Sequence, residues 1–179
     1  MSLDIDASIA HLKSCIRDVP DFPKKGIVFK DITTLLKDAR ALRRAVDLFL
    51  VLCGDLQVDT VAAVESRGFI LGALAASRLG TGFVPVRKPG KLPWRTRQMS
   101  YELEYGKDAV EIHEDAFGPG ERVLVVDDVI ATGGTAWAVG ELARAMGAQV
   151  TAYAFLVELT FLKGRERLAG HEVRSLIRY

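Results

Sequence analysis

An α/β fold, a three-layer sandwich with a mostly parallel central sheet, is what three features of the 179-residue chain predict. Short apolar runs lead repeatedly through glycine-bearing loops into helical patterns. Those runs are apolar at consecutive rather than alternate positions, as in strands covered by helices on both faces. Hydrophobic residues make up 49% of the composition, enough at this length for one substantial core but not for two full-size domains. The expectation is one domain over residues 1–179, with room for a small appendage.

Taken in order, Ile5, Ile9, Leu12, Ile16 and Val19 recur at helical steps, in an amphipathic stretch that Pro20 and Pro23 stop. Residues 21–36, DFPKKGIVFKDITTLL, join turn-forming Pro and Gly to a β-prone run from Ile27 to Phe29. Leu42, Val46, Phe49 and Leu50 predict a second helix over 38–53. The rhythm then changes to strand, loop, helix. TVAAV (60–64) reads as a buried strand, ESRG (65–68) as a turn and 69–79 as a helix. FVPVR (83–87) and RVLVVDD (122–128) are strands, 135–147 is a helix, and VTAYAFLVEL (150–159) is a fourth strand. Residues 88–110 are polar and too long for an ordinary connection, so they form either a functional flap or an extra hairpin.

Charge narrows the function. Twenty-four Lys and Arg face twenty-three Asp and Glu, which argues against a broadly basic nucleic-acid binder and requires any polyanion to be met by a local cluster. Cys15 and Cys53 lie in no metal-ligand spacing, which suits a reduced, cytoplasmic setting. Asp4 and Asp6 stand where a secretory signal needs basic residues, and no run approaches the ~18 apolar residues of a membrane span. No membrane association is expected.

The chemistry concentrates in VLVVDDVIATGGT, residues 123–135. In an open parallel sheet, ligands bind beyond the carboxyl ends of strands, which is where Asp127 and Asp128 fall. The amides freed by Gly133 and Gly134, the hydroxyls of Thr132 and Thr135 and the start of the next helix can surround one phosphate. Neither GxxxxGK[ST] nor GxGxxG occurs. Carboxylates repel a phosphate but accept from vicinal sugar hydroxyls, so the pattern is written for a sugar phosphate.

This stretch resembles the ribose-5-phosphate signature of type I phosphoribosyltransferases. DFPKKGIVFKDIT, ESRGF, VRKPGKLP, YELEYGKDAVEI and LVELTFLKGRERL are similar, in order, to segments of the members that act on adenine. The resemblance implies transfer of phosphoribosyl from phosphoribosyl pyrophosphate to adenine, giving AMP and pyrophosphate. It implies a flexible flap at 88–110, a small amino-terminal hood at 20–36 and a homodimer. Magnesium is implied as a cofactor held mainly by substrate oxygens, with no direct protein ligand.

Residue by residue, it assigns Asp127, Asp128, Ala131, Thr132, Gly133, Gly134 and Thr135 to the phosphoribosyl group. Ser66, Arg67, Arg87, Lys88, Lys91 and Tyr105 would hold pyrophosphate, and a cis peptide is expected between Glu65 and Ser66. The basic character is visible without the resemblance: from Arg87 to Lys107 six basic residues, including Arg95 and Arg97, face only Glu102 and Glu104. Val28, Phe29 and Lys30 would recognise adenine, Phe29 by stacking; the family commonly has arginine in place of Lys30. Glu104 is the candidate general base or purine-edge partner, alongside Asp127 and Asp128 as catalytic acids. A hypoxanthine, guanine or xanthine enzyme, or a regulator that keeps the site only as a sensor, are the rival readings. His11, His113 and His171 are read as structural or surface residues. Val139, Leu142, Ala143 and Met146 form a core stripe, while Trp137 could be core, interface or pocket wall.

Overall fold

The computed structural model describes residues 4–102 and 107–179. The chain divides into two compact units, Met1–Phe49 and Leu50–Tyr179.

In the first unit, α1 (Ile5–Ser14) begins where the Asp4 carboxylate accepts from the Ala7 amide at 3.0 Å. The helix does not extend to Val19 as the periodicity suggests. Arg17–Pro20 instead forms β1, antiparallel to β2 (Val28–Asp31), pairing Val19 with Phe29. Cross-strand ion pairs win here: Arg17 reaches Asp31 at 2.6 Å and Lys30 reaches Asp18 at 2.6 Å. Those partners lie twelve or more residues away, so helical spacing cannot register them. The Arg17 guanidinium, helped by the Thr33 amide, holds the Asp31 carboxyl down at about 2. After the short α2 (Thr33–Lys37), Asp38 accepts from the amides of Arg40 and Ala41 at the start of α3 (Ala39–Cys53).

The second unit contains β3 (Thr60–Val64), α4 (Arg67–Leu79), β4 (Gly82–Val86), β5 (Thr96–Glu102), β6 (Lys107–His113) and β7 (Arg122–Ile130). After these come α5 (Gly134–Ala145), β8 (Gln149–Glu158), two 3-10 turns (Thr160–Leu162, Gly164–Leu168) and β9 (Val173–Arg178). Five parallel strands form one sheet in the order β4-β3-β7-β8-β9. The strands expected from the sequence take their places within it, and β9 is an addition. Its short run, with an arginine at its end and another beside its start, becomes a strand only because β8 offers a parallel edge, pairing Tyr153 with Val173.

Adjacent strand residues face opposite sides of a sheet, and β3 shows the result. Ala63 meets Gly72 of α4, whereas Ala62 and Val64 join a core with Val139 and Leu142 of α5. Helices thus cover both faces. Residues 88–110 contribute most of a hairpin: β5 and β6 pair antiparallel from Thr96 with His113 to Glu102 with Lys107. Tyr101, Val110 and Ile112 of that hairpin are buried in the α5 core.

Candidate active site

The site is built at the carboxyl ends of β3 and β7. β7 continues to Ile130, two residues past the expected end, so both acids are strand residues near its tip. They enter the site differently, as neighbours on a strand must. Asp128 is 6% exposed and its Oδ2 receives Arg67 Nε at 2.5 Å. Asp127 Oδ1 accepts from the Asp128 amide at 2.8 Å and lies against Gly68, where a Cβ would come within 2.7 Å of it. Burial, then the adjacent Asp128 charge, pushes the Asp127 carboxyl well above the ordinary carboxylate range.

Beyond β7 the chain loops over a small cavity of about 70 Å³, lined by Asp127, the loop from Val129 to Thr135, Ala136 and Phe155. Pockets for whole ligands begin near ~300 Å³, so this one suits a single group. Gly133, at φ 78°, is the residue before α5, and the first residues of that helix, Gly134 to Ala136, line the cavity. The loop rests on a second glycine that sequence reasoning did not single out. A Cβ on Gly133 would lie 2.4 Å from the Gly164 carbonyl oxygen, and one on Gly164 would lie 2.3 Å from that of Ala131. Two stretches of backbone, the loop at Ala131 to Gly133 and the turn at Gly164, therefore meet with no space for a side chain. The signal was present in LVELTFLKGRERL, which contains Gly164.

The 65–68 turn forms differently from the expectation. Among the described residues the cis peptide is Phe22–Pro23, not Glu65–Ser66. Ser66 instead takes φ 74°, a strained value for a residue with a Cβ, and this swings the chain from β3 directly into α4. That places Glu65 under the basic loop: its carboxylate accepts from Lys91 Nζ at 2.6 Å, Arg87 Nε at 3.1 Å and the Lys88 amide at 3.3 Å. Burial pushes Glu65 up, but these three donors outweigh it and its carboxyl lies below its usual value. Lys88 Nζ pairs with Asp108. Each cation assigned to pyrophosphate thus has a carboxylate beside it: Asp128 for Arg67, Glu65 for Arg87 and Lys91, Asp108 for Lys88. The charge count from 87 to 107 stopped one residue short of Asp108.

Glu111 organises the same loop from below. Only 2% exposed, it accepts from the amides of Lys91 and Leu92 at 3.0 and 2.9 Å and from Thr96 Oγ1 at 3.2 Å, while its backbone pairs with that of Arg87. Trp137 is half-buried and packs against the α5 core, with the Arg167 guanidinium 5.3 Å from its ring centroid. Glu104 and Tyr105 lie outside the described residues. Val28, Phe29 and Lys30 stand together on β2 of the first unit, with Phe29 edge-on to Phe22 at 5.3 Å and Lys30 paired to Asp18.

Residues 32–173 match the phosphoribosyl transferase domain family. An adenine phosphoribosyltransferase of Thermotoga neapolitana is 58% identical over 94% of this chain and 99% of its own length. The chain belongs to the adenine phosphoribosyltransferase family. Its fold agrees with a crystal structure of the member from Thermoanaerobacter pseudethanolicus, at TM-score 0.94 and 51% identity, covering 96% of this chain and 99% of that one. A yeast member crystallised with adenine and an imino-altritol bisphosphate superposes at TM-score 0.89 with 39% identity, over 96% of this chain and 99% of that one.

Proposed function

We propose that the protein transfers the 5-phosphoribosyl group from phosphoribosyl pyrophosphate to adenine, releasing pyrophosphate and forming AMP. The observation that carries the reading is the single-group cavity under the Ala131–Thr135 loop, with Asp127 on its wall and the Arg67, Arg87, Lys88 and Lys91 cations around the adjoining turn. The loop amides and the start of α5 would take the 5-phosphate. Breaking the anomeric bond builds oxocarbenium character, as in glycoside hydrolysis, and Asp127 and Asp128 would accept from the ring hydroxyls and set negative field beside that cation. Charge growing on the departing pyrophosphate would be met by Arg67, Arg87, Lys88 and Lys91, together with Ser66 and Tyr105. Those cations are held in place by Glu65, Asp108 and Asp128, so little reorganisation precedes reaction.

Val28, Phe29 and Lys30 of the 20–36 hood would recognise adenine, and Glu104 of the 88–110 flap would serve the proton of the attacking ring nitrogen. In this reading residues 1–179 act as one phosphoribosyltransferase domain. Among the described residues no group of three His, Cys, Asp or Glu could hold a metal unaided. A magnesium ion there would keep its waters and take substrate oxygens, with Asp127 or Asp128 reaching it through water. Bound there, it would supply positive charge against the pyrophosphate.

Supplying labelled phosphoribosyl pyrophosphate with adenine, hypoxanthine, guanine, xanthine and orotate in turn tests the assignment. AMP is the expected product and the other bases are expected to stay unreacted; turnover of hypoxanthine with adenine inert would reject the hood assignment.

The setting we infer is the cytoplasm, supported by two unpaired cysteines, Cys15 and Cys53. We also propose a homodimer. Ile70 and Leu74, one turn apart on α4, and Phe83 on β4 are 40%, 36% and 37% exposed, and this apolar face suits an isologous contact. Leu74→Glu is expected to shift the sedimentation coefficient from dimer to monomer, and an unchanged coefficient would remove this face from the interface.

A further inference from the structure

We propose that Tyr101 is a positioning residue that couples the phosphate loop to the Lys88 ammonium, so that an anion bound in the first strengthens binding of an anion at the second. The inference rests on the two anion subsites proposed above. Tyr101 is 3% exposed, and its hydroxyl stands between two partners. It donates to Asp108 Oδ2 at 3.1 Å and accepts from Thr135 Oγ1 at 2.9 Å. Asp108 also accepts from Lys88 Nζ, whose ammonium lies 5.9 Å from the Tyr101 ring centroid. One hydrogen-bonded chain therefore runs from Thr135 through Tyr101 and Asp108 to Lys88. The ring is seated on the loop itself: a Cβ on Gly134 would come within 2.9 Å of Tyr101 Cδ2.

The proton inventory gives the chain its direction. A threonine hydroxyl has one proton to donate. The Tyr101 proton is engaged by Asp108, so the Thr135 proton is on the Tyr101 oxygen. A phosphate monoester in the loop is the stronger, charged acceptor and draws that proton away. The Tyr101 oxygen is then an open acceptor close to the Lys88 ammonium. Lys88, still paired to Asp108, gains the Tyr101 oxygen as a second acceptor, which holds its ammonium on the side toward Thr135 and the ligand. No covalent bond changes.

Calorimetric titration of inorganic pyrophosphate with and without ribose 5-phosphate, in magnesium buffer, measures the coupling as a ratio of affinities, which must be the same whichever ligand is added first. Tyr101→Phe keeps the ring and removes the oxygen. It is expected to lower the coupling ratio about fivefold or more relative to the parent protein, within the usual range for linked sites. Asp108→Asn, at a side chain 29% exposed, cuts the chain at its next member and is expected to lower the ratio in the same way. A ratio unchanged within about twofold in either folded variant overturns the proposal, as does a parent protein in which each anion binds with no effect of one on the other. If neither anion binds the parent protein, the subsite reading itself fails, and the coupling with it.

Discussion

Gly164→Ala is expected to lower kcat/KM by about 100-fold, although Gly164 is assigned no contact with substrate. The new methyl would sit 2.3 Å from the Ala131 carbonyl oxygen and 2.8 Å from Ile130 Cγ1. Neither atom can yield alone, because Ile130 is 2% exposed and lies at the end of β7. The 3-10 turn or the phosphate loop must shift, and a misplacement near 1 Å costs about 10²-fold in positioning. Overpacking of this kind also destabilises by roughly 1–3 kcal/mol. Steady-state kinetics with phosphoribosyl pyrophosphate as the varied substrate, set beside a thermal melt, separate the two effects. A variant with parental kcat/KM would show that the loop does not depend on its glycine support.

Replacing Asp127 and Asp128 together by alanine is expected to have the larger effect on turnover, about 10³-fold or more, by comparison with the loss of a single preorganised electrostatic group elsewhere. The double variant removes the acceptors for the ring hydroxyls and leaves Arg67 without the carboxylate 2.5 Å from its Nε. Nucleotide synthesis at the parental rate would end the sugar-phosphate reading.

Asp127 adds a pH signature. Its carboxyl is raised by burial and by the Asp128 charge, so the acid limb of kcat/KM should fall above the ordinary aspartate value of about 3.9, and Asp127→Asn should abolish that limb. The sign for stability is opposite. A raised folded value means that the fold prefers the neutral acid. The contribution to stability is full below the unfolded value and is lost as pH rises through the folded one. Asp127→Asn should therefore melt higher than the parent protein at pH 8 while turning over more slowly, a functional site held at a cost in stability. Equal melting temperatures would mean that the carboxyl is not strained there.

Much of this site was legible because it is local. β3 was read with its observed limits, and the strand, acid pair, glycine loop and helix lie within residues 122–145, where burial on both faces and loop chemistry leave their marks on consecutive residues. Element ends were less legible. The stripe from Ile5 to Val19 spans a helix and a strand, since the pairing of Val19 with Phe29 depends on a partner in the next segment. β9 was missed for a related reason, because it needs the edge of β8 to be a strand at all.

The sequence by itself determined the chemical inventory: an α/β sheet, an acid pair at a strand tip, an amide-rich loop and a basic segment after β4. Tertiary structure decided how those charges are spent. The carboxylate partners of Lys91 and Lys88 lie 26 and 20 residues away, and Tyr101 reaches Thr135 across 34. Gly164 likewise meets Ala131 from a separate turn. Periodicity reports only which face of an element is apolar. Which carboxylate meets which cation depends on where folding brings distant segments together, and on the few ångströms over which a hydrogen bond or a backbone contact operates.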